Sequence, residues 1–481
     1  MQRLGGRRDA STEPRVDARW RRRGRRSLMA GILAAATMLL GLAGAAGATR
    51  GAREVAPSAS AAPVQVSKCG TPSAEVEDAV SGAYVYAEWI GCRGKSGIGF
   101  GRSTDGGRHF GASLVLPGSF VTSCTPRCPF SSWDPAVAVS RTGTVYASFM
   151  VRRGTVSRPV VDVSTNHGAS FHRLGTLPVP ATSDPRGNWG DRVFLAVGPS
   201  GTIDVTWDYG PSISQLRIVC AKIGSCSFTA GDLNIVLQAS TDGGKTWSTM
   251  RSVTPGFPYG GADIGYVVAR PNGTLDVLFQ AFPTTGTSHD LHPGNEYVTR
   301  STDGGTTWSP PVKLGSSVGT VSLTEWWIDG NLALDAGGNL YATWDTQSST
   351  ADVGWLSYSK NDGVTWSAPI RVTPPAGVAE ELVASTGVGA GIADVAWQTP
   401  ASPKGYATYV RPFSIQHGWL ATSRRVSTAY GNPKVWPGDT FGIVALPKGK
   451  RTTHGLPVAI TWGSAINGSK ASEIFSTDVA P

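Results

Sequence analysis

The octapeptide Ser240–Trp247, STDGGKTW, decides the fold of this chain, because four variants of it recur along the sequence. The variants are Ser103–Phe110 (STDGGRHF), Ser164–Phe171 (STNHGASF), Ser301–Trp308 (STDGGTTW) and Ser359–Trp366 (SKNDGVTW). In each, the Ser and the Asp or Asn side chains can bond backbone N–H groups of the turn, Gly supplies a positive φ, and the closing ring covers an apolar edge. The motif predicts a β-hairpin, and we interpret its acidic residues as structural rather than catalytic.

Each octapeptide belongs to a longer unit, in which an acidic residue precedes two apolar strands and a third strand leads into the hairpin. The second strand ends on an aromatic residue in all seven units: Trp89, Phe149, Trp207, Phe279, Trp344, Trp397 and Trp462. Such a unit cannot bury both of its faces alone, so the units are expected to stack radially with these rings between neighbouring sheets. The prediction is an all-β fold, a seven-bladed β-propeller of four-stranded antiparallel blades. A six-bladed ring is the alternative, because Gly405–Val426 predicts strands without a complete octapeptide.

The two ends of the repeat array are expected to pair. The seventh unit ends after its third strand, SEIFSTDVAP, whereas the apolar segment Pro63–Ser67 (PVQVS) precedes the first unit and has no place in it. Pairing these segments would complete the last blade and remove the open sheet edges.

Residues 1–48 have the order of parts of a bacterial export signal. Arg19–Arg26 (RWRRRGRR) precedes the apolar run Leu28–Ala48, which ends in small residues, and cleavage near Ala48 would make the protein secreted. The pair Arg25-Arg26 also resembles a twin-arginine signal, so Sec and Tat export both stay open. An uncleaved membrane anchor is the alternative, because about 21 apolar residues just span a bilayer.

The charge of the chain is concentrated in this signal. Of the formal net charge of +9, residues 1–48 supply +7, and the remaining 433 residues hold only +2. That is too little for the basic face that nucleic acids require, so nucleic acid is excluded as a partner. Residues 49–62 are predicted to be a disordered linker and residues 63–481 the propeller. We expect a monomer that touches a membrane only through an uncleaved signal.

All six cysteines follow the signal, and an even number in an exported protein predicts disulfides. They are Cys69, Cys92, Cys124, Cys128, Cys220 and Cys226. The short spacings favour Cys124 with Cys128 and Cys220 with Cys226, which leaves Cys69 for Cys92, although the sequence leaves the connectivity open. No His stands close enough to these pairs to favour a zinc site.

Functional residues are expected at the rim opposite the octapeptide hairpins, where the innermost strands begin. A carboxylate stands at or beside each of the seven entrances: Glu77 or Asp78, Asp134, Asp191, Asp263, Asp329, Glu381 and Asp439. A ring of like charges must be protonated, paired with Arg or bound to a cation, so these acids are candidates for chemistry. The structural alternative is that each acid caps its own loop by accepting backbone N–H bonds.

Aromatic residues stand shortly before several of these acids. Indole faces stack on the C–H faces of sugars while carboxylates bond the hydroxyls, so the pattern predicts a glycan partner. The predicted substrate-binding residues are Trp133, Trp189, Asp263, Trp326, Trp327, Asp329, Trp436 and Asp439. The structural alternative is that the rings only fill the junctions between blades.

The octapeptides, known as Asp boxes, and the unit GDRVFLAV…VTW that ends at Trp207 resemble the sialidase and BNR-repeat superfamily over residues 75 to 478. The resemblance implies hydrolysis of terminal sialic acid, with three Arg holding the substrate carboxylate, an Asp as acid/base and a Glu-activated Tyr as nucleophile. For this chain it implies the following roles: Asp134 or Asp191 as acid/base, Arg192 in substrate binding, Tyr430 as nucleophile, and Glu380 or Glu381 as its activator. The sequence departs from the family in lacking a Phe-Arg-Ile-Pro-like motif before Cys92; Arg152, Arg153 and Arg158 lie in a loop expected on the same face.

The leading hypothesis is therefore an exo-glycosidase of the sialidase type. A non-catalytic glycan- or protein-binding propeller is the main alternative, and a lyase or hydrolase acting on another polysaccharide is a third. No cofactor is predicted beyond a structural cation among the acids. The loop His289-Asp290-Leu291-His292, followed by Glu296, has no established metal spacing, so no metal site is predicted.

Overall fold

The octapeptides, hereafter the Asp-box hairpins, form the expected turns. In Ser301–Trp308 the Ser301 hydroxyl donates to Asp303 Oδ1 (2.8 Å) and accepts the Gly305 N–H (2.8 Å). Asp303 Oδ1 also accepts the N–H of Thr307 at 2.8 Å. Gly305 has a φ of 78°, and a Cβ there would lie 2.1 Å from Cδ2 of Leu237, so both backbone and packing require glycine.

The computed structural model describes residues 62–93, 97–119, 132–220, 226–230, 232–256, 261–282, 294–316, 330–346, 353–372, 381–399, 405–466 and 468–480. The predicted export signal, and all but the last residue of the predicted linker, lie outside these ranges. Among the described residues no helix is long and apolar enough to cross a bilayer.

Each of the seven antiparallel blades has its first strand at the axis and its later strands successively further out. Blade 1 comprises Ala74–Ser81, Tyr84–Ile90, Ile98–Ser103 and Leu114–Val115; blade 2 Ser132–Val139, Val145–Arg153, Val156–Ser164 and His172–Thr176; blade 3 Trp189–Val197, Ile203–Gly210, Asn234–Ser240 and Arg251–Ser252. Blade 4 comprises Gly261–Ala269, Leu275–Phe282, Asn295–Ser301 and Val312–Ser316; blade 5 Asn331–Leu334, Leu340–Thr346, Val353–Ser359 and Ile370–Arg371. Blade 6 comprises Glu381–Gly389, Ile392–Thr399, Ala407–Ser414 and Gly418–Trp419, with Arg424–Arg425 also pairing its third strand; blade 7 comprises Gly442–Ala445, Val458–Ser464, Glu473–Val479 and Val64–Gln65.

The first strand of every blade contacts the first strands of both neighbouring blades, so the seven first strands form a closed ring around the axis. The seven-bladed prediction is confirmed and the six-bladed alternative is wrong. A two-stranded ribbon, Arg217–Cys220 with Cys226–Ala230, is inserted between the second and third strands of blade 3, and its second strand contacts blade 4.

The aromatic residues that end the second strands are buried between blades, as predicted, and none is more than 2% exposed. Trp207 of blade 3, for example, belongs to one apolar cluster with Tyr146 and Met150 of blade 2. Burial of each such ring stabilises the stack by roughly 1.5–3 kcal/mol. The blades are therefore held together by rings that no single blade could bury.

The N-terminal strand closes the propeller, as predicted. Val64 pairs with Ser476 and Gln65 with Phe475 of the third strand of blade 7, and the Val66 N–H donates to the Ile474 carbonyl at 2.8 Å. This pairing covers the outer edge of Glu473–Val479, the third strand of blade 7.

A disulfide joins Cys69, which follows the closing strand, to Cys92 at the end of the second strand of blade 1. This pairing agrees with the sequence prediction. Cys220 and Cys226 are opposite each other in the backbone register of the ribbon. Cys124 and Cys128 lie outside the described residues, so their pairing stays a prediction.

We expect the double variant Cys69→Ser, Cys92→Ser to unfold about 3 kcal/mol more easily than the wild type, because the bond restricts a loop of 23 residues in the unfolded chain. Urea unfolding of both proteins measures the difference. The two proteins should be equally stable when both are reduced, because neither then holds this bond, and equal stability of the two oxidised proteins would contradict the prediction.

A buried acid and an exposed acid should give opposite pH dependences of stability. Burial raises the pKa of Asp204 to about 7, whereas donors from Thr307 and Ser301 lower the pKa of Asp303 to about 2. The native state therefore keeps the Asp204 proton that the unfolded chain loses near pH 4, and stability falls as pH rises from about 4 to 7. For Asp303 the stabilisation is present above about pH 4 and is lost as pH falls towards 2.

Asp204→Asn should therefore flatten the decline in melting temperature between pH 4 and 7, whereas Asp303→Asn should lower the melting temperature at pH 6 but hardly at pH 2. Calorimetry across this range tests both variants. A decline that survives unchanged in Asp204→Asn would show that this carboxyl is not its source.

Candidate functional site

A β-bulge sits near the start of the first strand in each of the first four blades. Its central residue has a positive φ at the same place each time: Glu75 (54°), Asp134 (48°), Arg192 (46°) and Ile264 (62°). A non-glycine residue held in this conformation costs on the order of 1–3 kcal/mol, and such strain is common at functional sites. Because the first strands line the axis, the four bulges meet at one end of the channel.

The bulges are bonded from blade to blade. The Arg192 N–H donates to a carboxylate oxygen of Asp134, and the Ile264 N–H donates to Asp208 Oδ1 at 3.0 Å. The Glu75 N–H donates to the carbonyl of Pro437 at 3.0 Å. Acids of one blade thus satisfy bulge amides of the next, which agrees in part with the capping alternative.

The side chain of Arg192 lies close to three of the predicted acids. Its guanidinium lies 3.4 Å from Asp191, 4.0 Å from Asp263 and 3.6 Å from Asp439. The Arg192 side chain is only 8% exposed, whereas those of Asp191 and Asp439 are 21% and 17% exposed. We call these residues, with Glu75, Asp134 and Asp208, the Arg192 cluster; it unites residues of blades 1, 2, 3, 4 and 7.

Two carboxyl pairs in the cluster interact directly, Asp134 with Asp191 and Asp208 with Asp263. Burial and the charges of Asp191 and Glu75 raise the pKa of Asp134 well above its ordinary value, although Arg192 opposes the shift. Burial and the neighbouring Asp263 likewise raise the pKa of Asp208. Two neighbouring carboxylates repel each other, so the raised pKa favours the protonated forms of Asp134 and Asp208.

Two tryptophans hold acids of the cluster in place. The indole N–H of Trp133 donates to Asp191 at 2.7 Å, and that of Trp436 donates to Asp439 at 2.7 Å. Trp436 is 36% exposed, which is high for a large apolar residue. Trp189 is half-buried and starts the first strand of blade 3, opposite Gly210. The predicted residues Trp326, Trp327 and Asp329 lie outside the described residues.

A cavity of about 180 Å³ lies in the channel and is lined by residues that include Glu77, Tyr266 and Asn331. Burial, followed by the charges of Glu77 and Asp78, raises the pKa of Tyr266 well above its ordinary value, so its phenol stays neutral. Asp78 accepts a hydrogen bond from the Thr461 hydroxyl, and burial raises its pKa to about 8. The entrance prediction for blade 1 is wrong by two or three residues, because the bulge falls at Glu75.

The other predicted residues make contacts of their own, and Glu381 stands at the start of a first strand, as predicted. Arg425 lies 4.8 Å over the ring of Tyr430, beyond the outermost strands of blade 6, and Glu381 begins the first strand of that blade opposite Gln398. Arg152 donates to the Arg186 carbonyl and Arg153 to the Gly118 carbonyl.

Sequence reasoning missed Glu75, Asp208 and Tyr266. Asp208 follows the buried Trp207 at the end of a second strand, which reaches the same rim as the entrances of the first strands. A polar residue directly after the terminal aromatic was the signal that would have found it.

In the described part of the chain no group of three or more His, Cys, Asp or Glu side chains is arranged to hold a metal ion. Residues 289–292 lie outside that part, and Glu296 is buried in the third strand of blade 4. The predicted structural cation stays untested.

Residues 238–249 match the family model described as BNR/Asp-box repeat. The chain is an Asp-box β-propeller. No curated protein matches the sequence of this Asp-box propeller significantly.

Several solved structures resemble the Asp-box propeller. They include a protein of unknown function from Dyadobacter fermentans (15% identity, TM-score 0.48, covering 72% of this chain and 94% of that one). An α-L-arabinanase from Penicillium chrysogenum has 13% identity and a TM-score of 0.44, covering 73% and 93%. The intramolecular trans-sialidase from Ruminococcus gnavus has 12% identity and a TM-score of 0.45, covering 73% and 96%. Similarity at this level does not identify a reaction.

Proposed function

We propose that the protein is a secreted, glycan-acting propeller that hydrolyses a terminal glycosidic bond at the Arg192 cluster. The observation that carries the proposal is the convergence of Asp191, Asp263 and Asp439 on the buried Arg192 guanidinium, with Asp134 bonded to the backbone N–H of the same residue. These acids come from four blades, so only the ring of blades brings them together. Strained backbone and perturbed acids at one accessible rim are the features expected of an active site.

Asp134 is the proposed general acid. It is half-buried at the channel end beside Asp191, and its raised pKa favours the protonated form that a general acid needs. Trp133 and Arg192 both donate towards Asp191, which stabilises negative charge on this second carboxyl. Asp134 can therefore give its proton to the glycosidic oxygen as the bond to the leaving group breaks.

The carboxylate that assists the attacking water must be a different residue from Asp191. Two carboxyls that flank a scissile glycosidic bond lie roughly 5–5.5 Å or 6.5–9.5 Å apart. Asp134 and Asp191 are closer, because they interact directly. Asp439 is the proposed base, because it is partly exposed and is fixed by Trp436 and Arg192. It would accept the proton of the water that attacks the anomeric carbon.

The charge of the cluster favours a substrate without a carboxylate. The Arg192 guanidinium already lies within 4.0 Å of three acids, so it is poorly available to bind the carboxylate of a sialic acid. A neutral or amino sugar avoids repulsion by these acids. The finer assignment is therefore an exo-glycosidase for neutral or amino sugars rather than a sialidase.

The test is turnover of a panel of fluorogenic glycosides that carry neutral sugars, amino sugars or sialic acid. Asp134→Asn should lose roughly 100-fold or more in kcat, because the general acid is removed. Asp303→Asn, a matched change in an Asp-box hairpin of blade 4, should keep full activity. Activity should also fall as the pH rises through the raised pKa of Asp134.

A non-catalytic glycan-binding propeller is the second candidate, favoured by the exposed Trp436 beside Asp439. It predicts no turnover on any glycoside, together with binding on a glycan array that Trp436→Ala abolishes. Turnover that survives in Asp134→Asn would contradict the proposed mechanism.

A further inference from the structure

The ring of each Asp-box hairpin covers the blade before its own. Phe171 of blade 2 packs edge-on against Phe100 of blade 1, with ring centroids 4.6 Å apart. Trp247 of blade 3 lies so close to the outer strand of blade 2 that a Cβ on Gly175 would be 2.6 Å from its indole nitrogen. In blade 6, which has no complete Asp box, Trp419 packs against the same apolar cluster as Tyr358 of blade 5.

Blade 7 is the exception, because it takes its fourth strand from the N-terminal segment instead of from an Asp-box hairpin. Its second strand pairs Val458 with Val479, four residues before Trp462, just as blade 3 pairs Ile203 with Ser240, four residues before Trp207. Val479 thus stands where an Asp box would begin. In the described part of the chain no Asp-box ring covers blade 6.

A cavity of about 190 Å³ is found at this place. Val410 and Pro412 of the third strand of blade 6 form one wall, and Val479 of blade 7 forms another. For comparison, an engineered apolar cavity of about 150 Å³ binds benzene. The space is therefore large enough for one aromatic ring.

The cavity also contains a buried acid without a hydrogen-bond donor. Asp394 is 4% exposed and lines the cavity, and its carboxyl makes no hydrogen bond among the described residues. Arg424 is the charged group that acts on it, and the guanidinium of Arg424 donates to the Ala480 carbonyl at 2.9 Å. Burial raises the pKa of Asp394 to about 7. The Asp394 carboxyl can therefore accept a hydrogen bond from a ligand that brings a donor into the cavity.

We propose that this space, the blade 6–7 cavity, is a second binding site, which takes an indole-class ring with its N–H directed at Asp394. The apolar walls accept the ring as blades 1 to 5 accept theirs, and the carboxyl selects rings that carry a donor. Asp394 lies near the start of a second strand, so the site is on the rim opposite the Arg192 cluster. The ring can belong to a free small molecule or to the Trp side chain of another polypeptide.

The test is ¹⁹F NMR of fluoroindole added to the full-length protein, with 1-methylindole and the capped octapeptide STDGGTTW as competitors. Fluoroindole should bind. 1-Methylindole has no N–H to donate to Asp394, so its affinity should be about tenfold lower than that of fluoroindole. Ala421→Trp, which places a ring in the cavity from its exposed edge, should abolish binding. Asp204→Asn, a buried acid at the equivalent place in blade 3, should leave binding unchanged.

If the octapeptide displaces fluoroindole at a lower concentration than a free indole does, the natural ligand is the Trp of a polypeptide. If the free indole acts at the lower concentration, the natural ligand is a small molecule. Asp394→Leu provides a second measurement. It should lower the affinity for fluoroindole about tenfold and change the affinity for 1-methylindole little. The proposal fails if fluoroindole does not bind, if methylation has no effect, or if binding persists in Ala421→Trp.

Discussion

Replacing Arg192 by Met is expected to lower the free energy of unfolding by about 3–5 kcal/mol at neutral pH, because the change leaves buried carboxylates without their cation. Arg192 is 8% exposed at the side chain and faces Asp191, Asp263 and Asp439 within 4.0 Å. It also lowers the pKa of Asp134 and Asp208, so its loss raises both further. Urea unfolding at pH 7 measures the effect, and unfolding at pH 4 should show a smaller one because protonation relieves the repulsion.

Arg192→Lys is the matched control, since it keeps the charge and the φ of 46° but loses the planar fork. Its stability should fall between those of the wild type and Arg192→Met. If Lys and Met cost the same at every pH, the guanidinium contributes geometry or packing rather than charge.

The arrangement of the rim could be anticipated from the sequence because all first strands of a propeller begin at the same end. Asp134, Asp191, Asp263 and Asp439 each stand at such a beginning, and each is found in the Arg192 cluster. The individual contacts within the Arg192 cluster could not be anticipated, because they depend on how far each blade is rotated about the axis relative to its neighbours.

The error at blade 1 has a definite physical cause. A bulge inserts one residue into a strand and so shifts the alternation of faces by one position. In blade 1 the bulge falls at Glu75, between Ala74 and Val76, whereas the alignment of apolar residues placed the entrance at Glu77 or Asp78. No residue type marks a bulge of this kind, since Glu75, Asp134, Arg192 and Ile264 have little in common.

The Tyr–Glu pair that the family resemblance implies shows the limit of transferring a role along a sequence. The resemblance implies Tyr430, a loop Tyr before Trp436, as the nucleophile, yet the ring of Tyr430 lies beneath Arg425. The phenol that lines the channel belongs to Tyr266, two residues beyond the bulge residue Ile264 of blade 4. The charge of Glu77 contributes to the raised pKa of this phenol. Its neutral form is suited to donating a hydrogen bond rather than to attacking a sugar.

Val66→Asp is the second change with a large expected effect, because it places an unpaired charge in the contact that closes the ring. Val66 is fully buried, belongs to the apolar cluster that includes Trp89 and Phe475, and directly follows the closing strand. We expect a loss of more than about 4 kcal/mol, the range of substitutions that bury an unpaired charge. Release of the strand would also expose the edge of Glu473–Val479, which favours association between molecules.

Gln65→Asp is the matched control, because it introduces the same charge in the preceding residue, which is exposed. It should change the unfolding free energy by no more than about 0.5 kcal/mol. Urea unfolding of both variants measures stability, and size-exclusion chromatography measures association. If Val66→Asp does not fold, Val66→Ala replaces it, with an expected loss of about 2 kcal/mol. If Val66→Asp were as stable as Gln65→Asp, the seventh blade would not depend on its N-terminal strand, and ring closure would rest on contacts between the first strands alone.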